Sequence, residues 1–138
     1  MIKTIRGLLL GAALLFGVVP AFAADLALDG NLRGLCGTVT STGNGTAGTG
    51  TLNNKCGVIT TESITAPTAS EYTVTLTNSV IAAGDIVLFS VANGTNTTGL
   101  AVAARTTPGS GSATFVFRHM TTTSFNGTML INFFVVKP

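Results

Sequence analysis

The sequence predicts an all-β protein, a single β-sandwich or jelly-roll-like domain with a Gly/Thr-rich N-terminal arm. From Val58 onward, short runs rich in Val, Ile, Thr and Phe recur at regular spacing, separated by turn signals such as Asn93-Gly94. This spacing is typical of sandwiches and barrels. No run shows the 3.6-residue periodicity of a helix, and Gly and Thr recur too often for long helices.

Six strands are predicted from the turns between them. Asn93-Gly94 and Asn126-Gly127 suit the positive φ angles of type I′ turns. Within 72–77, Tyr, Val and Leu alternate with three threonines, which predicts one buried face and one solvated face. The expected strands are at about 58–64, 71–78, 85–92, 99–106, 112–119 and 127–136.

The last strand is apolar on both of its faces. Residues 129–136 read Met-Leu-Ile-Asn-Phe-Phe-Val-Val, and such strands are usually covered on both sides. Each sheet of a sandwich has only one face turned to the core. The row Leu130, Phe134 and Val136 is therefore a candidate interface, covered either by the N-terminal arm or by another subunit.

The first residues have the three parts of a secretory signal peptide. Lys3 and Arg6 precede an apolar run at 8–19, and Ala-Phe-Ala at 21–23 supplies a cleavage pattern. We expect a signal peptide over 1–23 and no membrane span after cleavage; a retained anchor would need an apolar run of about 20 residues. The predicted location is periplasmic, cell-surface or extracellular.

Residues 24–57 are rich in Gly, Thr and Asn, and precede a sandwich core predicted over 58–138. The segment suits a loop, an extended arm or a pair of thin strands. Cys36 and Cys56 are the only cysteines, and in an exported chain they predict a disulfide that ties this arm to the core. A metal site would need further ligands at short spacing, and the single His119 is far away in the sequence.

The charge balance argues against a nucleic-acid partner. Only 9% of residues are charged, against about 25% in an average domain. Removing Lys3 and Arg6 leaves five basic and five acidic residues, so the mature chain is formally neutral. Phosphate binding needs many more Lys and Arg, whereas a neutral surface offers little resistance to self-association.

No motif predicts a catalytic, cofactor or metal site. The glycine pattern at 43–48 matches a dinucleotide fingerprint, but no helix pattern follows it. His119 lacks a nearby acid to orient it as a base. Glu62 and Glu71 could meet across a hairpin as a glycosidase pair, but two separate surface charges are the simpler interpretation. Four Asn-x-Thr sequons, at 44, 93, 96 and 126, are interpreted as turns.

The chain from Thr51 onward resembles a family of small β-rich proteins encoded by bacteriophage and prophage structural genes. The resemblance implies a β-sandwich that decorates or cements a virion shell or tail, with no catalytic residues. It rests on the segments 51–54 (Thr-Leu-Asn-Asn), 57–62 (Gly-Val-Ile-Thr-Thr-Glu), 72–79 (Tyr-Thr-Val-Thr-Leu-Thr-Asn-Ser), 91–99 (Val-Ala-Asn-Gly-Thr-Asn-Thr-Thr-Gly) and 125–128 (Phe-Asn-Gly-Thr).

These observations predict a non-enzymatic exported protein that packs against copies of itself or a larger surface assembly. Two alternatives stay open: a virion decoration or cement protein, with the virion surface as its location, and a soluble secreted adhesin-type binding module. An enzyme that uses His119 is the rival class.

Overall fold

Nine β-strands form two stacked sheets in the computed structural model, which describes residues 36–65 and 71–138. No helix occurs in these ranges, so the all-β sandwich prediction is confirmed. The predicted signal peptide and arm residues 24–35 lie outside them. The strands are β1 (Cys36–Thr40), β2 (Thr42–Gly43), β3 (Ala47–Thr51), β4 (Cys56–Thr60), β5 (Glu71–Thr77), β6 (Ile86–Asn93), β7 (Ala101–Gly109), β8 (Ser112–His119) and β9 (Met129–Val136).

The strands divide into a four-stranded sheet A and a five-stranded sheet B. Sheet A has the order β1-β4-β9-β6, and sheet B has the order β2-β3-β5-β8-β7. The β1–β4 and β3–β5 pairs are parallel, and the other pairs are antiparallel. Strands β6 and β7 are therefore edge strands, one in each sheet.

The six strands expected from the sequence correspond to β4 through β9. Two boundaries were wrong. The first strand was expected over about 58–64, but β4 is Cys56–Thr60. The 107–110 segment was expected to be a turn, but β7 continues to Gly109. The chain reverses one step later, where Gly111 has a φ of 75°, a conformation that glycine adopts readily. Pro108 is tolerated within β7 because an edge strand has one side free of ladder hydrogen bonds.

The core lies between the sheets and follows the predicted alternation. Tyr72, Val74 and Leu76 of β5 are buried, whereas the threonines between them are partly exposed. Phe115 of sheet B packs on Phe133 of sheet A, with ring centroids 5.8 Å apart. The inward row of each sheet thus meets that of the other, as in a typical sandwich.

The described part of the Gly/Thr-rich arm, residues 36–57, forms short strands. β1 joins the edge of sheet A beside β4, while β2 and β3 extend sheet B beside β5. Cys36 lies directly opposite Cys56 in the β1–β4 pair, and the two form a disulfide with a Cα–Cα distance of 4.6 Å. The predicted disulfide is thereby confirmed, and it is consistent with an oxidising, exported compartment. Within the described ranges, no helix is long and apolar enough to cross a membrane.

Candidate functional site

The outward side of β9 carries the three residues predicted as an interface. Met129, Ile131, Phe133 and Val135 alternate into the core and are almost fully buried. Their neighbours Leu130, Phe134 and Val136 lie on the opposite side of the strand, where Phe134 is 42% exposed and the other two are half-buried. The structure thus brings the predicted row together on the outer face of sheet A.

Strand β6 adds two residues that the sequence analysis did not assign to this row. Ile86 and Leu88 are 54% and 58% exposed, and they lie opposite Val136 and Phe134 in the β6–β9 register. The sequence contains a pattern that indicates this outward apolar row, because residues 86–89 are apolar at four successive positions and therefore on both sides of the strand. We call the surface formed by Ile86, Leu88, Leu130, Phe134 and Val136 the apolar face.

The apolar face contains a shallow depression rather than a deep cleft. The depression measures about 350 Å³ and lies between β6 and β9, where its lining includes Leu88, Ser90, Asn132 and Phe134. Small-molecule sites are usually concave and combine apolar walls with a few converging polar groups. A broad, mostly apolar surface is better suited to contact with another flat surface.

The apolar face is also free of charge. None of the four strands of sheet A contains a charged residue. A charged pair lies just beyond the strands, where Lys137 Nζ binds Asp85 Oδ2 at 2.6 Å. The hydrogen bond from Lys137 is the main reason why the pKa of Asp85 lies below its usual value. The face therefore offers nothing to attract a strongly charged partner.

The side chain of His119 lies on the side of β8 that faces the core, and not in a cleft. It is only 6% exposed, and its ring packs edge-on against Phe125 with centroids 4.4 Å apart. Neither ring nitrogen has a hydrogen-bond partner within the described ranges. A general base needs an orienting partner and access to substrate, whereas among the described residues this imidazole has no hydrogen-bond partner and little exposure.

The Glu62 carboxylate anchors the Gly-rich strands to the sandwich. Ser41 Oγ donates a hydrogen bond to Oε2 at 2.8 Å, Gly45 N donates to Oε1 at 3.3 Å, and the Tyr72 hydroxyl also donates to Oε1. Burial acts to raise the pKa of Glu62, but these hydrogen bonds outweigh it and leave the pKa below its usual value. Burial and the neighbouring Glu62 carboxylate raise the pKa of Tyr72.

Glu71 has separate partners on the outward side of sheet B. Arg118 Nη2 lies 2.6 Å from Glu71 Oε1, and Arg105 Nη2 lies 3.7 Å from Oε2. The hydrogen bond from Arg118 lowers the pKa of Glu71. Because Glu62 and Glu71 are held by different groups, the structure does not bring them together as a carboxylate pair.

The glycine motif at 43–48 forms a β-hairpin. Gly43 pairs with Gly48 across β2 and β3, and the Asn44 side chain caps the turn by accepting hydrogen bonds from Thr46 N and Ala47 N. The next element is strand β3, whereas a dinucleotide fingerprint opens a helix. Among the residues that the structure describes, no cluster of three or more His, Cys, Asp or Glu could hold a metal ion.

Comparisons with known proteins gave no match to a family model, a curated protein or a solved structure.

Proposed function

We propose that this protein is an exported, non-enzymatic structural subunit that self-associates through the outer face of sheet A. The observation that carries the proposal is the apolar face, with Ile86, Leu88 and Phe134 substantially exposed side by side on two paired strands. Isolated exposed apolar residues are ordinary, but a contiguous cluster of them usually marks a contact surface.

The chemistry of the apolar face favours a second copy of this chain as the occupant. Because no strand of sheet A carries a charge, the face is complementary to an uncharged apolar surface, and its own counterpart on another copy is such a surface. The signal-peptide pattern and the disulfide support assembly outside the cytoplasm, in the periplasm or at a cell or virion surface.

The loops at one end of the sandwich favour this function over an adhesin-type binding module. Adhesin sites commonly lie on loops with free polar groups. Here the β6–β7 and β8–β9 loops are hydrogen-bonded to each other: Thr97 N donates to Asn126 Oδ1 at 2.9 Å, and Asn126 N donates to Asn96 Oδ1 at 3.0 Å. These polar groups of the two loops thus stabilise the fold.

Light scattering on the mature chain, residues 24–138, tests the proposal. The mean mass is expected to rise with protein concentration. A Leu88→Asp variant is expected to weaken association at least about tenfold, because it replaces an apolar contact with a charge in both copies. Thr49→Asp adds the same charge at an exposed position of β3 in sheet B and should behave as the unaltered protein. Equal association of the Leu88→Asp variant would refute the proposal.

A broad hydrolase screen tests the non-enzymatic part of the proposal. The mature protein is expected to be inactive. Activity that disappears in a His119→Ala variant with an unchanged melting temperature would overturn it.

A further inference from the structure

A second apolar cluster lies on the other side of the sandwich, on the outward surface of sheet B. It consists of Leu100, Val102 and Met120, all of which are largely exposed. Met120 N donates to Leu100 O at 2.8 Å, and Val102 lies opposite Arg118 in the β7–β8 register. These contacts place the three side chains together at one end of β7 and β8, and we call this surface the corner patch.

The corner patch differs from the apolar face because charges of both signs flank it. Val102, Arg118 and Glu71 lie in one row across β7, β8 and β5. Arg118 Nε donates to Glu71 Oε1 at 2.8 Å, and Arg105 lies close to the other carboxylate oxygen. Two arginines and one glutamate thus border the exposed apolar side chains.

Contact through the apolar face alone covers little area. Even the whole outer side of sheet A, with four strands of five to eight residues at about 3.3 Å per residue and about 4.8 Å between strands, has a flat footprint of roughly 400 Å². Two copies would bury about 800 Å², whereas stable specific interfaces usually bury more than ~1,200 Å². Dimers joined through this face alone would therefore be weak, and a further contact would stabilise the assembly.

The charges decide which surface the corner patch can pair with. Docking the corner patch on the apolar face would cover Arg118 and Glu71 with a surface that has no charge to offer them, and such desolvation is costly. A second copy of the corner patch instead carries charges of both signs beside its apolar side chains, so it can present opposite charges to Arg118 and Glu71. The occupant that fits is a second copy presenting the same surface.

Edge-to-edge strand pairing is disfavoured at this side of the molecule. β7 has a bulge between Ala103 and Arg105 and contains Pro108. Both features are common means of blocking the open edge of a sheet. The side chains of the corner patch, rather than the backbone of β7, are the groups available for contact.

We propose that the corner patch is a second self-association surface, and that copies joined alternately through the apolar face and the corner patch form an open-ended chain. This inference rests on the proposed function for the first contact. A subunit with two self-complementary surfaces on opposite sheets does not complete its contacts in a dimer, because each dimer still presents two free surfaces.

Sedimentation velocity on four forms of the mature chain tests the proposal: the unaltered protein, Leu88→Asp, Leu100→Asp and the double variant. The unaltered protein is expected to form species larger than dimers that grow with concentration. Each single variant should form nothing larger than weak, concentration-dependent dimers, joined by the surface that remains, and the double variant should be monomeric. Thr49→Asp is the charge-matched control, and Met120→Ser should shorten the chains without adding a charge.

The outcomes separate this inference from the proposed function. A Leu100→Asp variant that assembles like the unaltered protein overturns the corner patch and leaves the apolar face standing. A Leu88→Asp variant that assembles like the unaltered protein overturns the proposed function. If both single variants are monomeric and form a heterodimer when mixed, the apolar face docks on the corner patch and like-with-like pairing is wrong. Equal thermal melts of all forms establish that each is folded.

Discussion

Leu88 and Phe134 lie directly opposite each other on the β6–β9 pair, and both are directed away from the core. Their strand neighbours Val87, Phe133 and Val135 are buried between the sheets. Side chains that face each other across an antiparallel pair have Cβ atoms about 5 Å apart and act as one surface. The pair therefore forms the centre of an apolar surface that the described part of the chain leaves uncovered.

The disulfide is expected to contribute substantially to stability. Cys36 and Cys56 close a loop with a sequence separation of 20, and restricting the unfolded chain in this way is worth about 3 kcal/mol. A Cys36→Ser/Cys56→Ser double variant should lose about that much in urea unfolding. Intact mass after alkylation without reduction should show no modified thiol in the unaltered protein. Two alkylated thiols in protein purified from the exporting compartment would contradict the bond.

Gly48 is expected to be intolerant of a side chain. A Cβ at this position would lie 2.7 Å from Ser41 Oγ and 2.8 Å from both Glu62 Oε2 and the Tyr72 hydroxyl oxygen. Gly48→Ala must displace this hydrogen-bonded group and should lower the unfolding free energy by about 2 kcal/mol. Gly50→Ala on the same strand is the control, since its Cβ would come no closer than 3.4 Å to Val39. Equal losses in the two variants would argue against a close fit around Glu62.

The Glu62 cluster predicts a loss of stability in acid. Folding lowers the pKa of Glu62 below 4.5, so its contribution is present above about pH 4.5 and is lost as the pH falls through the folded-state value. Tyr72→Phe removes one donor to the carboxylate and should lower the unfolding free energy by about 1.5 kcal/mol at neutral pH. Urea unfolding should show that this difference narrows at about pH 3. If the difference in unfolding free energy between the unaltered protein and Tyr72→Phe stays constant with pH, the Tyr72 hydroxyl does not stabilise the ionised form of Glu62.

His119 is expected to be replaceable without loss of stability. Its two buried nitrogens lack partners in the described structure, and unsatisfied buried polar atoms are costly. His119→Leu should therefore keep or raise the melting temperature, measured by circular dichroism. A fall of more than a few degrees would show that the imidazole makes an interaction that the structure does not reveal.

Much of the sandwich could be predicted because local patterns agree with tertiary burial. The alternation over 72–77 identified the buried row of β5, and the doubly apolar β9 indicated that one of its rows would lie outside the core. Both signals are contained within single strands and need no knowledge of strand pairing.

The composition of the apolar face, the role of Glu62 and the parallel strand pairs could not be predicted, because they depend on contacts between residues far apart in the sequence. Ile86 and Leu88 join the apolar face only because β6 pairs with β9, where their partners Val136 and Phe134 lie 50 and 46 residues later. The role of Glu62 depends on Ser41 and Tyr72, which come from two different parts of the chain. Strands β1 and β3 contain too few apolar residues to show an alternation, and their parallel pairing is a property of the folded sheets.

Methyl NMR on the mature chain across a dilution series shows whether the apolar face is the surface through which copies associate. We expect the methyl signals of Ile86, Leu88 and Leu130 to shift or broaden as the concentration rises, because these groups enter the contact. The methyl signals of Ile59 and Leu76, which are fully buried within one copy, should change far less. Signals from the apolar face that do not depend on concentration, while the protein associates through other residues or remains monomeric, would contradict the account.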